Sequence, residues 1–598
     1  MSTTLPEAVA WDLEPLVENA GAAGADRQLD EAQQRAEAFA QAHAGKVAEL
    51  DGPGLAAAMQ ELGAISDLVG RAGNYAALRF STDTADPANG ALLQKVQERG
   101  TVIETTLLFF DLEWAAVDDA RAEELLGAEG LDSVRHHLRT ARRYRPHLLS
   151  EPEEKILAEK SVTGRDAWGR LFSELTSAIE VQLPGEQDKV ALDVALSRLA
   201  SPDREERRST QQAVTDALEP GLRTRAYLFN TLLHDKAVDD RLRRFPTWLS
   251  SRNLSNEASD ESVQALITAV KDGYEIPRRW YRLKARLLGI DRLADYDRIA
   301  TVAEEDPEIG WDDAREIVQD AYDSFSPLLG DTARAFFDGP YIDAPVRPSK
   351  RGGAFCAYTV PSAHPYVLLN YTAKRRDVLT LAHELGHGVH ASLARPRGIF
   401  EQGTPLTMAE TASVFGEALV FGRLLDQAVT PASRLSLLAE DIEGSIATVF
   451  RQVAMNQFED KVHAARRGEG ELSVERIGEL WHASQVELMG DAVEVTDNYR
   501  SWWSYVPHFV STPGYVYAYA YGQLLALSVY GRYQAEGKGF VDAYERMLSA
   551  GGSVSPEELA QIAGLDLADP GFWAGGIALV RGQLEAAEAA AEDVLSQR

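Results

Sequence analysis

The chain has 598 residues, 45% of them hydrophobic and 25% charged, a composition that supports a large buried core and excludes a disordered or fibrous protein. Its net charge of −32 repels phosphate backbones and anionic lipid, so neither nucleic acid nor a membrane surface is an expected partner. Cys356 is the only cysteine, which excludes an intramolecular disulfide and a thiolate metal site and fits a reducing, cytoplasmic compartment.

The N-terminal Met1-Ser-Thr-Thr-Leu-Pro-Glu7 has no basic segment followed by an apolar stretch, and no run approaches the roughly 18 apolar residues of a membrane span. From about residue 25 to 340 the pattern predicts helices, with apolar residues at steps of three and four, as in Ile156, Leu157, Trp168, Leu171, Phe172 and Leu175. Asp51-Gly-Pro-Gly54, Leu183-Pro-Gly185 and Glu219-Pro-Gly221 read as turns between helices. Over 340 to 371 the texture changes. Prolines and glycines precede two β-rich stretches, Phe355 to Val360 and Tyr366 to Tyr371, which predict a small sheet. Helical periodicity resumes at Asp377 and is interrupted once, between Trp502 and Gly522. Ser555-Pro-Glu-Glu558 is a helix start with a capping box.

Thr380-Leu-Ala-His383-Glu384-Leu-Gly-His387-Gly-Val-His390 contains HExxH. Histidines four apart project from one helical face within reach of one ion, and neutral imidazoles suit a tetrahedral zinc with an open position. Glu384 can take the proton of a water polarised by the metal. Such a site usually has a third protein ligand. The metzincin pattern would need Gly at 390 and His at 393, where this chain has His390 and Leu393.

A break over Arg395 to Pro405 separates this helix from a second that begins near Leu406, on which Glu410, Ser413, Val414 and Glu417 share a face. Spacing makes Glu410 the candidate third ligand and Glu417 a partner behind the ligands. Thr407-x-x-Glu410 is also a capping-box pattern, which would account for Glu410 without metal. His390 reads as a packing or supporting residue, and His136, His137 and His463 as surface or core. Finally, Pro507-His508 to Tyr521-Gly522 gathers His508, Tyr515, Tyr517, Tyr519 and Tyr521. Neutral His and Tyr donors can stabilise a developing oxyanion. A helix starting near Tyr515 would align Tyr515 with Tyr519, while Tyr517 and Tyr521 read as packing. Gly514 would let the segment bend toward substrate.

With these residues in place the chain resembles the oligoendopeptidase F group of the thimet oligopeptidase-like metallopeptidases. Further stretches carry the likeness: Leu149 to Leu157, Thr163-Gly164 with Trp168, Arg351 to Cys356, His364 to Tyr371, Met408 to Ser413 and Met547 to Ser553. It covers about residue 70 almost to the end. The resemblance implies a mainly α, two-lobed helical metallopeptidase with a deep channel and a small β-sheet beside the HExxH helix. We expect an N-terminal helical lobe over about 1–200 and a catalytic domain over 201–598. It further implies one zinc per chain on His383, His387 and Glu410, with Glu384 catalytic and His508, Tyr515 and Tyr519 as transition-state donors. The implied substrates are short peptides cut internally, and Tyr366 to Tyr371 looks like the substrate-side edge strand. Two rivals remain at this point. One is a related carboxypeptidase or dipeptidyl carboxypeptidase, which needs a cation such as Arg351, Arg375 or Arg500 for the terminal carboxylate. The other is a non-catalytic peptide-binding protein, against which the intact Glu384 speaks. Cleavage preference and oligomeric state are not legible.

Overall fold

Helices account for most of the chain, as the recurrence of Ala, Leu, Glu and Arg predicts. The computed structural model describes residues 5–161, 163–302, 308–567, 569 and 571–597; residues 1–4, where the N-terminal reading begins, lie outside the described residues. Two units can be distinguished, each assembled from three stretches of chain: Met1–Leu148, Asp306–Leu424 and Val529–Leu567 in the first, and Leu149–Glu305, Leu425–Ser528 and Ala568–Arg598 in the second.

In the first unit the helices Gly21–His43, Gly52–Thr82 and Pro87–Ala116 pack on one another. Asp51-Gly-Pro-Gly54 is the entry into a helix: the Asp51 carboxylate accepts the Gly54 N–H at 2.8 Å, and Pro53 sits where its missing N–H costs nothing. That helix buries Leu55, Met59, Leu62, Ile65, Ala72 and Tyr75, steps that keep one stripe inward. Full burial of one such leucine contributes roughly 1.5–3 kcal/mol. Ser555 and Glu558 form the capping box expected of them, with the Ser555 N–H donating to the Glu558 carboxylate at 3.0 Å and the Glu558 N–H to the Ser555 hydroxyl at 3.3 Å.

Seven strands occur among the described residues: β1 (Glu180–Val181), β2 (Val190–Ala191), β3 (Leu293–Ala294), β4 (Ile342–Pro345), β5 (Phe355–Ala357), β6 (Tyr366–Tyr371) and β7 (Val493–Glu494). The first unit holds a three-stranded sheet in the order β4-β6-β5, with β4 parallel and β5 antiparallel to β6. The expectation of an edge strand at Tyr366 to Tyr371 is therefore corrected. β6 is central, and β4 and β5 are the edges. The Pro-bounded Ile342–Pro345 becomes a strand only because β6 offers it a parallel partner.

The second unit has an aromatic core in which Phe458 lies 5.0 Å from Phe509 and Phe229 lies 5.6 Å from Trp503, ring centre to ring centre. Within the stretch read as helical, β1 and β2 instead pair as a hairpin, and Leu183-Pro-Gly185 lies in its connection. β3 and β7, distant in sequence, pair in parallel. The buried Arg207 donates through Nη2 to Asp297 at 2.9 Å, so neither charge is left bare.

Candidate active site

The HExxH motif lies on the helix Arg375–Ala394. Asp377 fixes its start by accepting the backbone N–H groups of Thr372 at 2.7 Å and Lys374 at 3.1 Å. The predicted break follows, and the next helix runs Leu406–Gln427. Because that helix starts before Thr407, Thr407 is inside it and does not flank it as a capping residue would. The two helices touch backbone to backbone. A Cβ on Gly386 would collide with Ala412 O and lie 2.7 Å from Ser413 Cα, and one on Gly416 would lie 3.0 Å from Ala382 O. The glycine inside HExxH thus admits the partner helix that carries Glu410.

This approach brings His383, His387 and Glu410 together, with one ligand atom from each lying within 4.8 Å of the others. Glu410 Oε2 is 3.3 Å from His383 Nε2 and 3.6 Å from His387 Nε2. Four ligands at 2.0–2.1 Å about a tetrahedral centre stand about 3.3–3.4 Å apart, so the donor set fits zinc. The other ring nitrogens are also placed. His383 Nδ1 donates to Glu417 Oε2 at 3.2 Å, the position behind the ligands that helix spacing gave Glu417, and the Tyr358 hydroxyl lies 3.5 Å from His387 Nδ1. Ser413 Oγ donates to Glu410 Oε2 at 2.6 Å.

The electrostatics call for a cation. Burial would lower His383, yet its bonds to Glu410 and Glu417 outweigh burial and bring it to about 10. Burial likewise works to raise Glu410, but His383 and His387 hold it near 2. His387 falls to about 4 through burial. The carboxylates thus hold a proton on His383 that a divalent metal would displace. Glu384 is 7% exposed, and burial, reinforced by Glu410 against the opposing His383 and Cys356 amide, pushes its carboxyl up to about 7. A cavity of about 400 Å³ opens over these groups, bordered by Phe355 and Cys356 of β5, by Tyr358 and by the two helices. His390, one turn on, is 3% exposed, is pushed down to about 4 by burial, and is not one of the three clustered donors. Tyr358 was not singled out in the sequence, where it lies inside the expected β-rich stretch Phe355 to Val360; the strand ends one residue before it, at Ala357.

In the second unit His508, Tyr515 and Tyr519 form a half-buried cluster. His508 Nε2 lies 3.1 Å from the Tyr519 hydroxyl, and the ring centres of Tyr515 and Tyr519 are 5.0 Å apart. The helix begins at Tyr517, two residues later than expected. Burial, helped by Arg451, lowers His508 and keeps its ring neutral. Tyr517 and Tyr521 are fully buried: Asn256 Nδ2 donates to the Tyr517 hydroxyl at 2.9 Å, and the Tyr521 ring is 4.5 Å from that of Trp573. His463 is core, stacked 4.4 Å from Trp248.

Comparison with known proteins agrees with this picture. The model of peptidase family M3 matches residues 198–579, and that of oligopeptidase F matches 113–180. Oligopeptidase PepF of Bacillus subtilis is 25% identical over 516 residues, covering 85% of this chain and 76% of its own. Group B oligopeptidase PepB of Streptococcus agalactiae is 25% identical over 505 residues, covering 82% and 83%. The crystal structure of oligoendopeptidase-F from Enterococcus faecium superposes with a TM-score of 0.73 at 21% identity, covering 95% of this chain and 99% of that one, a likeness of fold. With the family model spanning most of its length, the chain belongs to peptidase family M3 and is a metalloendopeptidase.

Proposed function

We propose that this chain hydrolyses internal bonds of short oligopeptides with one zinc ion held by His383, His387 and Glu410. The observation that carries the reading is the convergence of those three donors at tetrahedral spacing beside Glu384 and an open cavity. When bound, zinc supplies a Lewis acid that polarises water and the scissile carbonyl. Glu384 takes the proton of the attacking water and passes it to the leaving nitrogen. Glu417 and Tyr358 hold the two imidazoles in the orientation that leaves each Nε2 for metal. The outer edge of β5, the edge strand that borders the cavity, suits an extended peptide, which would pair with its backbone and lie along the cavity. His508, with Tyr519 and Tyr515, stabilises the oxygen on which negative charge develops.

Within this reading residues 201–598 carry the catalytic machinery, while the expected lobe over 1–200 is divided, 1–148 falling in the unit of the HExxH helix and 149–200 in the other. A cytoplasmic location rests on the single cysteine; among the described residues no helix is long and apolar enough to cross a membrane. Of the cations that the carboxypeptidase alternative would use, Arg500 is paired with Asp497 at 2.9 Å, Arg375 is 6% exposed, and Arg351 lies 5.2 Å from the ring centre of Phe355.

Mass spectrometry of a peptide mixture, with and without chelator and alongside metal analysis, tests the proposal. Peptides blocked at both ends should be cut internally in the zinc-loaded enzyme, while native albumin survives. Cleavage that needs a free C-terminus, or that persists after zinc removal, overturns it.

A further inference from the structure

His508 lies on the short helix His508–Ser511 and Tyr519 on the helix that begins at Tyr517, and sequence reasoning makes Gly514 the hinge of the turn between them. The structure holds that glycine fast. Gly514 is buried with φ +74°, and a Cβ there would lie 2.7 Å from Leu249 Cδ1 and 3.4 Å from both Arg252 Cβ and Trp248 Cζ3. Its N–H donates to Glu459 Oε1 at 2.9 Å. Glu459 belongs to the helix Gln452–Glu469 and is 1% exposed. The same helix grips the backing segment as well: Trp248 Nε1 donates to Asp460 at 2.9 Å, and His463 stacks on the Trp248 ring. On the near side of the bend, Phe509 sits in the aromatic core 5.0 Å from Phe458 of that helix. Beyond it, Asn256 secures Tyr517.

We infer that Glu459 is a positioning residue for the reaction: by fixing the Gly514 amide it sets the bend that brings Tyr515 and Tyr519 against His508. The physical reason is the place of that bond. Local backbone bonds, Thr512 N–H to His508 O and Tyr515 N–H to Thr512 O at 3.1 Å each, shape the turn from within, while the Gly514 N–H bond to Glu459, beside that of Arg252 Nε to Pro513 O at 3.4 Å, ties the left-handed residue to the core behind it. Burying a carboxyl is costly, and Glu459 Oε2 has no hydrogen-bond partner among the described residues. A leucine would be the cheaper occupant if packing were its only task. The inference rests on the proposed role of His508 and Tyr519 in stabilising the transition state.

Four variants in the zinc-loaded enzyme test it: Glu459→Ala, Glu459→Gln, Tyr519→Phe and the double variant Glu459→Ala/Tyr519→Phe. Misplacing a reacting group by about 1 Å costs on the order of 100-fold. Glu459→Ala should therefore lower kcat roughly 10- to 100-fold with KM within a few-fold. Glu459→Gln, whose amide oxygen still accepts the Gly514 N–H, should restore most of it. In the Tyr519→Phe background Glu459→Ala should add less than about threefold, because both changes remove the same contribution. A fully multiplicative double variant, a loss confined to KM, or no rescue by Gln would make Glu459 a general stability residue and overturn the inference. If Tyr519→Phe and His508→Ala themselves leave kcat intact, the reading of the cluster fails instead. Should Glu459→Ala not fold, hydrogen exchange of the wild-type chain decides: the Gly514 amide should be strongly protected, and rapid exchange there refutes the anchor.

Discussion

The metal-binding region and the His508–Tyr519 segment reach comparable order by opposite means. The first is two regular helices in backbone contact, where periodicity alone aligns His383 with His387 and Glu410 with Glu417, and glycines 386 and 416 let the faces meet. The second is a turn between the short helix His508–Ser511 and the helix that begins at Tyr517 and carries Tyr519. Its bend is held by side chains far away in sequence, Glu459, Trp248 and Asn256. Helix-borne chemistry is thus specified locally, whereas loop-borne chemistry depends on buried anchors that are remote along the chain.

The largest effect expected on the helical side comes from Glu384→Gln. It removes the base and no ligand, so kcat should fall roughly 10²- to 10⁴-fold with zinc content unchanged by metal analysis. A zinc-loaded variant with near-normal turnover would move the base elsewhere and dissolve the helical half of the contrast.

Smaller, and sharper, is the difference between the two carboxylates on the second helix. Glu417→Ala should weaken zinc retention about 10- to 100-fold, since it frees His383 Nδ1 without removing a ligand, and Glu410→Ala should weaken it much further. Titration against a graded chelator measures both. The reverse order would make Glu417 the ligand and Glu410 its support.

The last effect belongs to the loop side and concerns stability, with turnover and zinc content outside it. Burial, with the Gly514 amide and Arg252 opposing it, raises the Glu459 carboxyl from its ordinary 4.5 to about 8. Between those values the native chain keeps a proton that the unfolded chain has released, so this group's contribution to stability is full below about 4.5 and declines as pH rises toward about 8. Glu459→Gln carries no titratable group. Its stability relative to wild type should therefore climb with pH, by at most about 1.4 kcal/mol per pH unit, in denaturant melts at pH 5 and 8. A flat difference would mean Glu459 is ionised throughout and its bond to Gly514 is charge-assisted.

Parts of the fold were readable because the signal was repeated or chemical. The break at Arg395 to Pro405, the second helix from Leu406 and the Ser555 capping box fall where local residues place them. The hairpin β1–β2 and the strand β4 did not, since strands of two to four residues exist only through their partners. The same limit hid that β6 is the central strand.

What the sequence by itself determined is therefore the mainly helical fold, the face shared by His383 and His387, and the chemistry of a carboxylate next to them. These depend on spacing along one helix and on side-chain type, both local properties. Only the tertiary structure decided that Glu410 meets both imidazoles, that Tyr358 stands behind His387, that β6 is the central strand and β5 the edge beside the cavity, and that Tyr519 reaches His508 where Tyr517 turns into the core. Each of those joins residues on separate elements, and their distances are fixed by close packing between elements, which no local spacing encodes.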